Sequence, residues 1–520
     1  MEKRALLAAA VSAVVLVVWF AVFGPRSPQP VTPEAPGAMS PTASPVLSPA
    51  VSPVGSPAAP AGVDASVAGE SKTAARGASE ERVELRGGAW SGVLSSAGAV
   101  LVSLQLDEHK DDAGKPLELL EAGGARPLSL VAEGPWNLEP YQVSSEGGWT
   151  VLRWSDGAGA WVEKRLRPAE AKYGLDVRIS TGGAAAGGVV VGGGLAGAVA
   201  KGGRFARSGA VVGTGSDVER VNLAKVTVPQ TMSGGVTFVG VEDQYFLLVL
   251  LPSGALDQVS LGGGHGVVVA ARAGVEGTLF AGPKEHDLLA AYGRGMERTL
   301  SFGIFGFLSV VFLAAMRWIH SLTGNWGVDI VLLTAAIRVL LFPLTHKSTV
   351  AMRRMQALQP KMKAIQERYQ DRAKRDAQAR TRMNQEIMGL YKQEGVNPLG
   401  GCLPTLVQLP ILWALYSLFA YAIELRHAPF VLWIQDLSAK DPTYVTPILM
   451  TASMVLQQRM TPQVGDPAQR RMFMLMPFIF GFMFMSFPAG LVLYWLVNNV
   501  LTIGQQMITE RLLRDKQPRS

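Results

Sequence analysis

Gly327-Val-Asp-Ile-Val-Leu-Leu-Thr-Ala-Ala-Ile-Arg338-Val-Leu-Leu-Phe-Pro343 has the apolar density of a membrane span, interrupted by one cation. A run of this length suits the hydrocarbon core of a bilayer. An arginine at the centre of a spanning helix costs about 2.5–3.5 kcal/mol on insertion scales, so it normally faces a partner or a water-filled cavity. The alternative is that Arg338 snorkels to the headgroups, because Pro343 and a basic stretch follow within a few residues.

Outward from this span, the apolar residues gather in the first 24 and the last 220 of the 520 positions, and 48% of the chain is hydrophobic. That distribution describes a membrane protein carrying a soluble insert. The net charge of +7 sits largely beside hydrophobic segments. It therefore reports membrane orientation and gives no reason to expect sequence-specific nucleic-acid binding. The single cysteine, Cys402, excludes an internal disulfide and a CxxC metal site. The six histidines are scattered, so neither a metal nor another cofactor is expected.

A basic start and an apolar run at 5–23 predict an uncleaved transmembrane anchor over 1–24, amino terminus inside, since the exit at 22–25 lacks the small residues of a cleavage site. Residues 25–80, rich in Pro, Ala and Ser, read as an extended disordered tether. From 81 to 292 short apolar segments alternate with Gly-rich turns, which predicts an all-β antiparallel sandwich. Joined through a floppy tether, this domain is expected to contribute little to the membrane part's work. The chance GxGxxG match at 192–197 has no helical sequel, and no Walker, GxSxG or HExxH motif is present, so no enzyme is expected.

Residues 293–322 contain a second apolar segment, 302–316, ending near Trp318. The stretch from His346 to Glu394 carries twelve Lys and Arg against five Asp and Glu, and such loops stay cytoplasmic. An even number of spans must then precede it, which places 302–316 flat in the interface as an amphipathic helix. Two helical stripes, Met355, Leu358, Met362, Ile365, Tyr369 and then Met383, Ile387, Leu390, Tyr391, predict a cytoplasmic hairpin at 346–396. Further spans at 402–424, 444–458, 473–487 and 491–508 complete a membrane core of five helices over 323–512 and a basic tail at 513–520. The fold class is a polytopic α-helical bundle of six transmembrane helices, both termini cytoplasmic, plus the β domain. Apart from Arg338, the span interiors hold Thr334, Gln408, Asn499 and Thr502, which either bond between helices or together line a wet pocket.

Several local motifs then carry a resemblance. Gly324-Asn-Trp-Gly327, Arg338 with Pro343-Leu-Thr345, Leu358-Gln-Pro360, Val396-Asn-Pro-Leu-Gly-Gly-Cys402-Leu-Pro404, Pro429-Phe-Val-Leu-Trp-Ile-Gln-Asp-Leu437 and Pro488-Ala-Gly-Leu-Val-Leu-Tyr-Trp495 resemble the YidC-type membrane protein insertases. The anchor plus β domain is similar to the long form of Gram-negative inner membranes, whose β domain is periplasmic. The resemblance implies an insertase and chaperone for nascent membrane proteins, acting alone or with the Sec translocon. Arg338 would sit in a hydrophilic groove with Thr334, Gln408, Asn499 and Thr502, and Tyr494 and Trp495 would be the aromatic pair near the substrate path. The ribosome would be met through the hairpin and loops. Two other classes stay open on the residues alone. A transporter binding an anionic solute at Arg338 should show internal repeats, and an anchored carbohydrate-binding protein should place its binding groups in the β domain.

Overall fold

Alternating apolar and polar residues between Arg82 and Pro283 form seventeen strands among the described residues, every pairing antiparallel. The computed structural model describes residues 79–520, except 186, 197–207, 216, 263–265, 272–273, 301, 374–375, 397–402, 461–466 and 515–520. The expected anchor at 1–24, all but the last two residues of the linker at 25–80, most of the tail at 513–520 and the end of the GxGxxG match lie outside them. Nine strands make one sheet, in the order Asp217–Val221, Gly209–Thr214, Val236–Glu242, Phe246–Pro252, Val275–Pro283, Gly174–Gly182, Trp161–Pro168, Trp149–Ser155, Gln142–Glu146. Two four-stranded sheets complete the sandwich. Phe246–Pro252 is buried along its whole length, and a strand covered on both faces reads as an unbroken apolar run.

Lys164 is a cation sealed inside this domain. Lys164 is fully buried, and its Nζ donates to the carbonyls of Gly98, Ala99 and Leu128 at 2.8, 3.0 and 2.7 Å. The ammonium thereby ties the nine-stranded sheet to two loops that would otherwise bury bare carbonyls. Burial pushes its pKa down to about 7.

The β domain also makes direct contacts with residues 420–427. Ile423, in the 3-10 turn Ile423–Leu425, belongs to the β domain's hydrophobic core. Gln244 Nε2 donates to the Ala420 carbonyl at 2.5 Å, the Arg426 guanidinium lies 5.5 Å from the centre of the Phe246 ring, and His427 Nε2 lies 3.2 Å from Asp112 Oδ1. Met296 and Leu300, beyond the expected boundary at 292, also pack into that core.

The helices follow. Helix α1 is His286–Tyr292, α2 Gly306–Thr323, α3 Trp326–Ala357, α4 Gln359–Ala373, α5 Ala377–Gln393, α6 Leu403–Tyr421, α7 Val445–Met460, α8 Pro467–Phe484 and α9 Ala489–Arg514. Helices α2 and α3 are long and apolar enough to cross a membrane, and α6 and α8 carry shorter apolar stretches. On α2, Ser309, Phe312, Leu313 and Met316 are buried against α3 and α6, while Phe307, Val311, Trp318 and Leu322 are exposed. Arg317 fastens α2 to Asp287 of α1 at 2.7 Å and to Glu424. Helices α4 and α5 fold back on each other, and Met355 at the end of α3, Leu358 and Tyr391 of α5 are buried together.

The pKa of Lys164 gives a stability test. Between about 7, its value in the fold, and 10.5, its ordinary value, the unfolded chain holds a proton that the fold does not. Stability contributed at this site therefore rises with pH in that window, by up to about 1.4 kcal/mol per unit. Thermal melts of wild type and Lys164→Met at pH 7 and pH 9.5 should show wild type gaining on the variant. A constant difference between the two would place the Lys164 pKa near its ordinary value.

Candidate functional site

Helix α3 starts where Asn325 caps it. The Asn325 side chain accepts from the Gly327 and Val328 amides at 2.9 and 3.1 Å, and its Nδ2 donates to the Phe430 carbonyl at 3.1 Å. Gly327 lies directly beneath Phe430, whose ring would stand 2.0 Å from a Cβ at that position. The Pro488 turn closes from the other side, with the Gly490 amide bonded to the Leu437 carbonyl at 2.8 Å and the Ala489 amide to that of Ala439 at 2.7 Å. Three of the motif segments, 324–327, 429–437 and 488–490, thus interlock into one cap over this end of the bundle. The fully buried Asp329 helps hold the cap: it accepts from Thr323 Oγ1 and pairs with His320 Nδ1 at 2.7 Å, while His320 stacks on Trp326.

Three helical turns below Asn325 stands Arg338, half-buried at the seam of α3 and α9. Its Nε donates to Asn498 Oδ1 at 2.7 Å, and among the described residues no carboxylate pairs with it. One turn earlier on α9, the buried Tyr494 accepts a hydrogen bond from Gln408 of α6. Two turns on, Gln505 Nε2 donates to Thr345 Oγ1 at 2.6 Å. Positions 494, 498 and 505 share a helix face, as do 338 and 345. Together they form a polar seam running from beneath the cap toward the hairpin end of α3.

Of the sequence-predicted residues, Arg338, Gln408 and Tyr494 come together here, but Asn499 and Trp495 do not join them. Asn499 Nδ2 reaches Ser453 of α7 at 3.0 Å, and Trp495 packs against Phe480 and Phe484 of α8 with ring centres 6.1 and 5.1 Å away. Adjacent helix positions differ by about 100°, so 494 and 498 face α3 and α6 while 495 and 499 face α7 and α8. Thr334, buried one turn before Arg338, gives its hydroxyl proton to the Ile330 carbonyl at 2.6 Å, and Thr502 gives its own to Asn498 at 2.6 Å. Both satisfy their own helix. Asn498, the partner of Arg338, was missed by the sequence reading. Its position four residues after Tyr494 was the available signal.

With this geometry in hand, the comparisons with known proteins are specific. A family model described as the YidC periplasmic domain matches residues 82–315, and one described as the 60Kd inner membrane protein matches 318–516. The membrane protein insertase YidC of Pelobacter propionicus is 34% identical over 573 residues, covering 99% of this chain and 100% of that one. The chain belongs to the YidC family of membrane protein insertases. YidC of Geobacter metallireducens is 35% identical over 550 residues, with 97% of this chain and 98% of that one covered. YidC of Syntrophus aciditrophicus is 42% identical over 322 residues, 59% of this chain and 58% of that one. A crystal structure of an active YidC insertase with the first transmembrane domain resolved has a TM-score of 0.38 and 20% identity, covering 83% of this chain and 93% of that chain. Membership in the YidC family takes the place of the transporter and carbohydrate-binding alternatives.

The two asparagines separate a charge-bearing contact from a neutral one. Hydrogen bonds to charged groups contribute about 1.5–3 kcal/mol, whereas neutral interhelical bonds in membranes average about 0.6 kcal/mol. Asn498→Ala should therefore destabilise the bundle clearly more than Asn499→Ala. Unfolding in mixed micelles checks this, and equal losses would remove the special standing of the Arg338 contact.

Proposed function

We propose that this inner-membrane insertase receives its client at the polar seam of α3, α6 and α9, with Arg338 as the attracting charge and Gln408 and Tyr494 beside it. The observation that carries the reading is the partnership of Arg338. A guanidinium bonded to one neutral asparagine keeps a net charge, whereas one paired with a carboxylate would not. In a medium of low dielectric constant that charge acts over several ångströms on an acidic residue in a client's short translocated tail. Water entering along Thr345 and Gln505 would lower the cost of bringing polar chain partway across. Thr334 and Thr502 flank Arg338 and Asn498 on α3 and α9, and Trp495 and Asn499 hold α9 against α7 and α8 behind the seam. No chemical step is involved.

The orientation we propose follows the charges. The hairpin 346–396 and both termini are cytoplasmic, and the β domain and the cap over α3 are periplasmic. Helices α3, α6, α7, α8 and α9, with the apolar run at 5–23, make six spans. Helix α2, though long and apolar enough to cross, is placed in the interface by charge parity, because a third span before the basic hairpin would carry it across the membrane. Clients arrive as nascent membrane proteins, alone or beside the Sec translocon, with the ribosome meeting the hairpin and the loops.

Charge and geometry at Arg338 separate by substitution. Arg338→Lys keeps the charge without the planar fork, so it should retain most insertion of an independently inserted client with an acidic tail. Arg338→Ala should lose it by tenfold or more, an effect of about 1.4 kcal/mol. Neutralising the tail acids should make the client indifferent to Arg338. An insertion assay in which wild type and Arg338→Ala treat acidic and neutral tails alike would falsify the electrostatic role.

A further inference from the structure

Helices α7 and α8 leave a groove on the side away from Arg338. They touch where Thr451 meets Gly481, a contact so close that a Cβ on Gly481 would lie 2.1 Å from Thr451 Oγ1. Around that contact runs a groove of about 560 Å³, lined by Ile448, Val455, Phe478 and Phe482 and ending at Arg459. The α7 positions recur every three or four residues and so lie on one face. Apart from Thr451 the walls are apolar up to the Arg459 end, one residue before α7 stops at Met460. Among the described residues Arg459 has no carboxylate partner, and its side chain is exposed.

Dimensions decide what this groove admits. From Ile448 to Arg459 is eleven residues, roughly 16 Å of helix at 1.5 Å per residue. That is the hydrocarbon depth of one leaflet, about 15 Å of a 30 Å core. A groove of that length, apolar along its walls and open along one side, takes an extended acyl chain from the surrounding leaflet. The cation stands where a phosphate would stand if the chain ran up the groove. We infer that the α7–α8 groove is a binding site for an anionic phospholipid, its acyl chain laid along Val455 and Phe482 and its headgroup phosphate on Arg459. The site is separate from the seam at Arg338 and rests only on α7 and α8 being spans.

The test uses the full-length protein purified from membranes and exchanged into equal amounts of phosphatidylglycerol and phosphatidylcholine, with retained lipid counted by native mass spectrometry. Wild type should keep one tightly held lipid and favour phosphatidylglycerol about fivefold, the effect of a single basic residue at a membrane surface. Arg459→Gln, a surface change, should bring that preference to near unity with a lipid still retained. Ala452→Trp, which fills the groove from α7, should abolish retention, with thermal melting confirming that the variant is folded. If Ala452→Trp does not fold, the headgroup preference of Arg459→Gln decides alone. No retained lipid in wild type, an unchanged preference in Arg459→Gln, unchanged retention in folded Ala452→Trp, or a protein segment or second copy crosslinked into the groove would each overturn the proposal. Client insertion is measured in parallel, so lost insertion with lipid retained counts against the Arg338 seam and leaves the lipid site standing.

Discussion

A cation among apolar helices must be given a polar partner, and the arrangement of the bundle answers that requirement at Arg338. The partner is Asn498 at 2.7 Å, and placing it there fixes the rotation of α9 against α3. Once α9 is so turned, Tyr494 falls against Gln408, Gln505 against Thr345, and the opposite edge of the helix turns Trp495 and Asn499 toward α7 and α8. The same requirement acts at the end of the bundle, where Asp329 is held by His320 and Thr323. Hydrophobic burial gives little guidance here, because lipid is as apolar as the helix interior. Polar pairs and close backbone approaches carry the specificity instead.

The sandwich obeys the opposite rule. Its core is a large hydrophobic cluster in water, and its buried ammonium Lys164 is enclosed by three carbonyls. Where the two solvents meet, the chain uses both kinds of contact. Ile423 enters the β core while Gln244, Arg426 and Arg317 tie the loops and helix ends around it. Such a junction holds the sandwich in one place over α6 although its amino-terminal connection is proline-rich.

Much of this was legible in the chain because the signals are coarse. Apolar runs marked α3 and the later helices, alternation marked Val236–Glu242 and Phe246–Pro252, and heptad spacing marked the hairpin. The Met- and Phe-rich α8 is divided, with Phe478, Ile479 and Phe482 outward and Phe480 and Phe484 inward. What stayed hidden depends on rotation about a helix axis. Asn498 and Asn499 are chemically alike and adjacent, and only the packing of neighbouring helices says which one meets the arginine. The docking of the sandwich was hidden for a related reason. It is made by single residues far apart in sequence, 244 with 420 and 112 with 427, which no local pattern connects.

The seating of Phe430 on the bare backbone of Gly327 has an electrical consequence. With the proposed seam wetted from one side only, the cap and its surroundings would be the remaining insulator, and the transmembrane voltage would fall across a fraction of the full thickness. Each elementary charge still gains about 2.3 kcal/mol per 100 mV in crossing, but over a shorter path, and the local field is correspondingly steeper. In the proposed orientation, with the cell interior negative, that field drives an anion outward from the neighbourhood of Arg338. The voltage would then complete a movement that the arginine only begins.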